Sequence, residues 1–126
     1  MSPIQAVESV LRKYADFSGR ASRSEYWWWW AALLVTFIAI GALTAVIGSL
    51  GYVAAAAVAL GSFVPNLAVT VRRLHDTGRS GWWLLVVFVP VIGAIILLVF
   101  MLLDSQRESN GWGAPPVGSA WAEPAT

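Results

Sequence analysis

The chain has 126 residues, of which 58% are hydrophobic and 12% charged, with a formal net charge of +1 and a mean hydropathy of +0.68. A soluble domain carries about 25% charged residues, so there is too little charge here to cover a water-facing surface. The absence of cysteine excludes disulfides, thiol nucleophiles and thiolate metal sites.

No charged residue occurs from Trp27 to Val71 or from Gly81 to Leu103, giving uncharged runs of 45 and 23 residues. At about 1.5 Å per residue the first run would make a helix of roughly 68 Å, more than twice the ~30 Å hydrocarbon core, so it must cross twice. The second crosses once on the same count. A transmembrane barrel would show segments of about ten residues alternating apolar and polar, a pattern this sequence lacks. The expected fold is all-α and membrane-embedded: three transmembrane helices at about 28–47, 52–71 and 82–103, preceded by an amphipathic helix at about 3–18. This divides the chain into a cytoplasmic helix and basic linker (1–26), a three-helix membrane domain (27–103) and a flexible Gly/Pro-rich tail (104–126).

In chain order, Ser2-Pro3-Ile4-Gln5 reads as a capped helix start, with Ser2 as cap, Pro3 in the first turn and Gln5 completing a capping box. Ile4, Val7, Leu11 and Tyr14 share one side, opposite Gln5, Glu8, Arg12, Lys13 and Asp16, until Gly19 supplies a stop. Such a helix either lies on the membrane surface or packs onto the protein itself. The opening residues lack the apolar stretch of a cleavable signal, so the first membrane helix is expected to remain.

Trp27, Trp28, Trp29 and Trp30 occupy nearly every side of one helical turn, and Trp82 and Trp83 repeat the device after Arg79. All six are expected as interface anchors, where an indole keeps its body apolar and its N–H wet. Gly48-Ser49-Leu50-Gly51 marks the hairpin between the first two spans. The second span holds small residues four apart, Ala55 with Ala59 and Ala57 with Gly61, and is expected to be the most buried. Its Asn66 and Thr70 form a polar face, and Pro65 and Pro90 are expected to kink their helices.

Seven of the eight Lys and Arg residues precede the third span without entering the first turn, so the N-terminus is expected in the cytoplasm. With three spans the C-terminus then lies outside, in the tail that carries Arg107. The densest chemistry is Arg72-Arg73-Leu74-His75-Asp76-Thr77-Gly78-Arg79-Ser80. With Arg20 and Arg23 it suggests an anion site for lipid phosphate or a partner protein, with Ser80 capping the third helix; the alternative is that these charges only set topology. Glu25, at the membrane entry, is expected to form an ion pair with Arg72 or Arg73. His75 has no second histidine to share a metal with, and no hydrolase elbow or phosphate loop occurs. No catalytic residue, metal site or cofactor is therefore assigned.

Phe17-Ser18-Gly19-Arg20-Ala21-Ser22-Arg23-Ser24-Glu25-Tyr26-Trp27, the Arg72–Trp83 block, Pro90-Val91-Ile92-Gly93 and Asn110-Gly111-Trp112-Gly113 with Pro115-Pro116 follow one another in order. Together they resemble the bacterial "domain of unknown function 805" family, the YhaH-like inner-membrane proteins. The resemblance implies a multi-pass protein of the bacterial inner (plasma) membrane and carries no catalytic residues with it. Two functions stay open: a non-enzymatic module binding anionic lipid or a protein partner, and a small transporter subunit or oligomeric pore. Against the pore, no span has an ionisable residue at mid-depth. The partners implied are membrane lipids, a second copy of the chain or another protein, and no nucleic acid.

Overall fold

A computed structural model describes residues 1–121; the last five positions of the tail lie outside the described residues. The first helix, α1 (Pro3–Arg12), begins as the sequence requires. Ser2 Oγ accepts from the Gln5 amide at 3.2 Å, and Gln5 Oε1 accepts from the Ser2 amide at 2.9 Å. It ends six residues short of the expected 18, because the Asp16 carboxylate takes the Ser18 amide and so offers the backbone a turn in place of a helical bond. Ala6 and Val10 are buried while Ile4, Leu11, Tyr14 and Phe17 stay exposed. The helix thus packs on the protein with one stripe and keeps an adjacent apolar stripe free.

Two helices are long and apolar enough to cross a membrane: α2 (Arg23–Ile47) and α3 (Ser49–Asp76). They contain the first two expected spans and run antiparallel, joined at Gly48, whose φ of +60° ends α2. Gly51 then lies so close to Thr44 that a side chain would have no room. Both helices extend past the expected membrane boundary at the end bearing Glu25 and Arg72.

The expected third span is absent as such. Residues Gly81–Phe88 form a 3-10 helix, the chain turns at Pro90-Val91, and α4 (Ile92–Leu102) runs back. At about 2.0 Å per residue for the 3-10 helix and 1.5 Å for α4, each limb is roughly 16 Å, about half the hydrocarbon thickness. The reversal has a local cause. Pro90 lacks an N–H and drives Val89 into extended geometry (φ −83°, ψ 110°), and Val91 closes a γ-turn at φ +63°, with the Ile92 amide donating to Pro90 O at 2.7 Å. The limbs then meet: Trp83 packs edge-on to Phe100 at 5.5 Å, and a Cβ on Gly93 would run into the Val86 carbonyl. This apolar run thus folds back as a hairpin and does not form one kinked, span-length helix.

A direct consequence is that the chain returns to the end it left. The Trp27 indole donates to Met101 O at 3.2 Å and Arg23 donates to Leu102 O at 3.2 Å, so the start of the tail lies beside the start of α2. The segments on either side of the membrane core thus share one end of the molecule, whereas three spans would have put them at opposite ends. Burial is concentrated at that end, in Val10, Ala21, Tyr26, Trp29, Leu33, Val69, Leu74 and Met101. The small residues Ala57, Ala59 and Gly61 are exposed, so they do not hold α3 inside this chain as expected.

Candidate functional site

The end where α1, the start of α2, the end of α3 and the tail converge holds a cluster of ionisable side chains withdrawn from solvent. Arg72, Arg73 and Asp76 are 0% exposed, Glu25 1% and Arg20 4%. A charge so placed must find partners or carry a desolvation cost of several kcal/mol.

Arg20, from the linker after Gly19, donates through Nε to Asp76 Oδ1 at 3.0 Å. Its terminal nitrogens reach four carbonyls: Glu108 at 2.9 Å, Gly113 at 3.1 Å, Asp76 at 3.3 Å and Gln106 at 2.7 Å. Arg73 pairs with the other oxygen of Asp76, which also accepts from the Ser105 hydroxyl, and it donates to the carbonyls of Leu103 and, at 3.4 Å, Met101. The last carbonyls of α4 have no partner within their own helix, and Arg23, Arg73 and Trp27 supply donors and positive charge at the negative end of its dipole. Glu25 accepts from Arg72 Nη1 at 2.8 Å and from Ser9 Oγ at 2.9 Å. The cluster therefore ties α1 to α2, α2 to α3, and α3 to the tail.

His75 donates through Nδ1 to the Gly19 carbonyl at 2.9 Å and stacks on Trp112, with ring centres 4.4 Å apart and planes 6° apart. Asn110 Nδ2 donates to His75 O at 2.9 Å, and Asn110 and Gly113 exchange backbone bonds that close the Asn-Gly-Trp-Gly turn beneath that ring. The imidazole is thus a packing element in this arrangement, and among the described residues no group of three or more metal-ligating side chains occurs.

The remaining candidates divide. Arg23 pairs with Asp104 at 3.4 Å, half exposed on both sides. Arg79 lies over the Phe100 ring at 4.1 Å and bonds Thr77 O, away from the cluster. Ser80 caps the 3-10 helix through the Trp82 amide at 3.2 Å, in place of the long helix expected there. Asn66 and Thr70 share a face, but it turns inward: Trp29 Nε1 donates to Asn66 Oδ1 at 2.7 Å and Thr70 Oγ1 to Asn66 O. Trp29 is consequently a buried core residue and not an interface anchor, while Trp27, Trp28, Trp30, Trp82 and Trp83 remain exposed. No sequence pattern points to Ser9, Ser105 or Gln106 as site residues. Ser9 stands on the polar side of α1 and Ser105 directly follows an acid, yet neither pattern signals a long-range bond.

The family described as "Protein of unknown function (DUF805)" matches residues 14–114. The chain belongs to this family. Two relatives within reach are inner membrane protein YhaI of Escherichia coli strain K12, 42% identical over 109 residues, and inner membrane protein YhaH of the same strain, 36% identical over 111 residues. The first match covers 86% of this chain and 92% of YhaI, the second 85% of this chain and 92% of YhaH. No solved structure matches. With two helices long enough to cross, this DUF805 chain is an integral protein of the bacterial inner membrane. The matched stretch takes in Arg20, Glu25, Arg72, Arg73, Asp76 and Ser105, so the ionic cluster belongs to the DUF805 region itself, whereas Ser9 and the rest of α1 precede it.

Proposed function

We propose that this protein is a non-enzymatic inner-membrane module whose cytoplasmic face binds the head groups of anionic lipids, with both termini in the cytoplasm. The observation that carries this reading is the placing of all eight Lys and Arg residues at one end: Arg107, expected on the far side, comes with the tail to the end that holds the other seven, and the α2–α3 turn has none. Positive charge of this asymmetry marks the cytoplasmic side, where the leaflet is rich in anionic lipid. The hairpin supports the reading further, since it keeps Trp82 and Trp83 beside Arg79, the pairing of indoles and positive charge that suits a head-group layer. The non-enzymatic part rests on the commitment of Glu25, Asp76 and His75 to structural partners.

The test is purification in native lipid followed by mass spectrometry of what stays bound. Phosphatidylglycerol or cardiolipin should be retained in preference to zwitterionic lipid, and exchange of Lys13 and Arg79 for glutamine should weaken that preference. Retention in proportion to bulk lipid composition, or of a stoichiometric protein in place of lipid, would overturn the reading.

A further inference from the structure

The surface of α1 is divided into three stripes. Ala6 and Val10 are buried, Val10 in the cluster that holds Tyr26, Trp29 and Leu33 of α2. At about 100° per residue Glu8 and Arg12 fall on the opposite side, and Ile4 and Leu11 fall between the two, exposed. Tyr14 and Phe17, in the segment that follows, are exposed as well. A helix on a water-facing surface has two sides to satisfy, one packed and one polar. An apolar stripe that is exposed and separate from the packed one calls for a third medium.

The placing of α1 identifies that medium. The helix starts beside the start of α2, where Met1 lies with Ser22 and Ser24 around Gly118, and its Ser9 reaches Glu25 at 2.9 Å. Two residues past its end, the Tyr14 hydroxyl donates to the carbonyl of Gly61. Gly61 stands about 18 Å from one end of α3 and about 22 Å from the other at 1.5 Å per residue, near the middle of a helix long enough to cross. So α1 slopes from the charged end toward the middle of the spans, and Leu11 lies nearer that middle than Ile4 does. The charged stripe has an outlet of its own. A cavity of about 570 Å³ separates α1 from the tail segment Trp112–Val117, and Gln5, Glu8, Ser9, Arg12 and Lys13 line it. Ile4 and Leu11 are turned away from this recess, on the other flank of the helix.

We infer that α1 is a wedge set slantwise into the leaflet at the charged end, with Ile4, Leu11, Tyr14 and Phe17 seated among lipid acyl chains. Lipid is the occupant of the free stripe because the stripe descends beside two crossing helices, where acyl chains are the surrounding medium. Glu8, Arg12 and Lys13 keep their water through the cavity, which is how charged groups below a membrane surface avoid the cost of hydrocarbon. The inference needs only that α2 and α3 cross; it goes beyond the head-group reading and does not rest on it.

The experiment uses the full chain in nanodiscs of phosphatidylcholine, with single cysteines placed in this cysteine-free sequence and converted to nitroxides. The sites are Ile4, Leu11 and Phe17 on the apolar stripe and Glu8 and Arg12 on the polar one, all exposed, so the label displaces no packed side chain. Leu34, exposed on α2, is the lipid reference and Ser109, exposed in the tail, the water reference. Power saturation compares relaxation by oxygen, which concentrates among acyl chains, with relaxation by a water-soluble nickel chelate. The oxygen-to-chelate ratio at Leu11 and Phe17 should match that at Leu34, the ratio at Glu8 and Arg12 should match that at Ser109, and Leu11 should be deeper than Ile4. Chelate-dominated relaxation at Leu11 and Phe17 overturns the inference, since the stripe then faces water. Equal depth at Ile4 and Leu11 overturns it too, because the helix then lies flat. Exclusion of both relaxants from the stripe means that protein covers it and also overturns the inference; loss of spin–spin broadening on dilution with unlabelled chain would identify that cover as a second copy. The discs hold no anionic lipid, so a failure here leaves the head-group reading standing, and a failure of that reading leaves this result unchanged.

Discussion

Pro65 has no amide hydrogen, and the acceptor it strands four residues back in α3 is the carbonyl of Gly61, which receives the hydroxyl of Tyr14. Lipid has no donor to offer in its place. Tyr14→Phe should therefore destabilise the protein by about 1–2 kcal/mol, the cost of an unsatisfied carbonyl. Pro65→Ala restores the helical bond, so in that background Tyr14→Phe should cost much less; equal losses by thermal unfolding in both backgrounds would refute the pairing. At Val91 a β-branched residue sits at φ +63°, where glycine is at ease. Val91→Gly should raise stability by about 1 kcal/mol in the same assay, the release of strain exceeding the added chain entropy. Asp16 gives an acid-side effect. The Ser18 hydroxyl and amide both donate to it and hold its carboxyl below the usual carboxylate range. Its contribution is present above the unfolded pKa and fades as pH falls through the folded one, so Asp16→Asn should flatten the acid side of the stability profile. At this scale the sequence is partly legible. A carboxylate at the mouth of a membrane helix needs a cation, and arginines four dozen residues later on the antiparallel neighbour are the natural supply, as the Glu25–Arg72 contact exhibits. That Arg20 would gather carbonyls from the tail was not legible, because main-chain acceptors are the same at every position and leave no mark in the sequence.

Elements differ in how much their composition determines. For α2 and α3 an unbroken apolar length is enough, since the uncharged run exceeds one crossing and falls close to two. The hairpin from Gly81 to Leu102 is different: its apolar residues suit a full span and a re-entrant loop equally, and only the backbone at Val89, Pro90 and Val91 decides. The sequence contained the decisive residues, and reading Pro90 as a kink underrated them because the carbonyl of Val86, which Pro90 cannot bond, is taken by the Val89 amide within the turn. Gly93 supports the fold-back by letting the limbs touch. Gly93→Val should force the limbs apart and separate Trp83 from Phe100, seen as a changed Trp83 emission in a background where the other tryptophans are replaced by phenylalanine. A cysteine at Val91 should be shielded from polar thiol reagents on both sides and strongly relaxed by a mid-bilayer spin label; relaxation peaking for the far interface would restore a full span.

For the whole molecule, the fold-back makes the two loops that flank α3 opposites and the tail a companion of the second. In this cysteine-free chain, single cysteines at Thr77 and Ala120 should be labelled together from one side of the membrane, and one at Ser49 from the other. Labelling of Ala120 with Ser49 would require three crossings. The half-length hairpin also gives the molecule a taper. Among the described residues α1, the 3-10 helix and α4 join α2 and α3 toward the charged end, whereas the Gly48 turn connects α2 and α3 alone. In a bilayer such a taper would displace more lipid from one leaflet than from the other, so the protein is expected to sit with least strain where that leaflet is stretched, on the convex side of a bent bilayer. Reconstituted into vesicles of small radius, it should insert with its broad, arginine-bearing end facing outward, and this bias should fade as the vesicles grow and their two leaflets approach equal area.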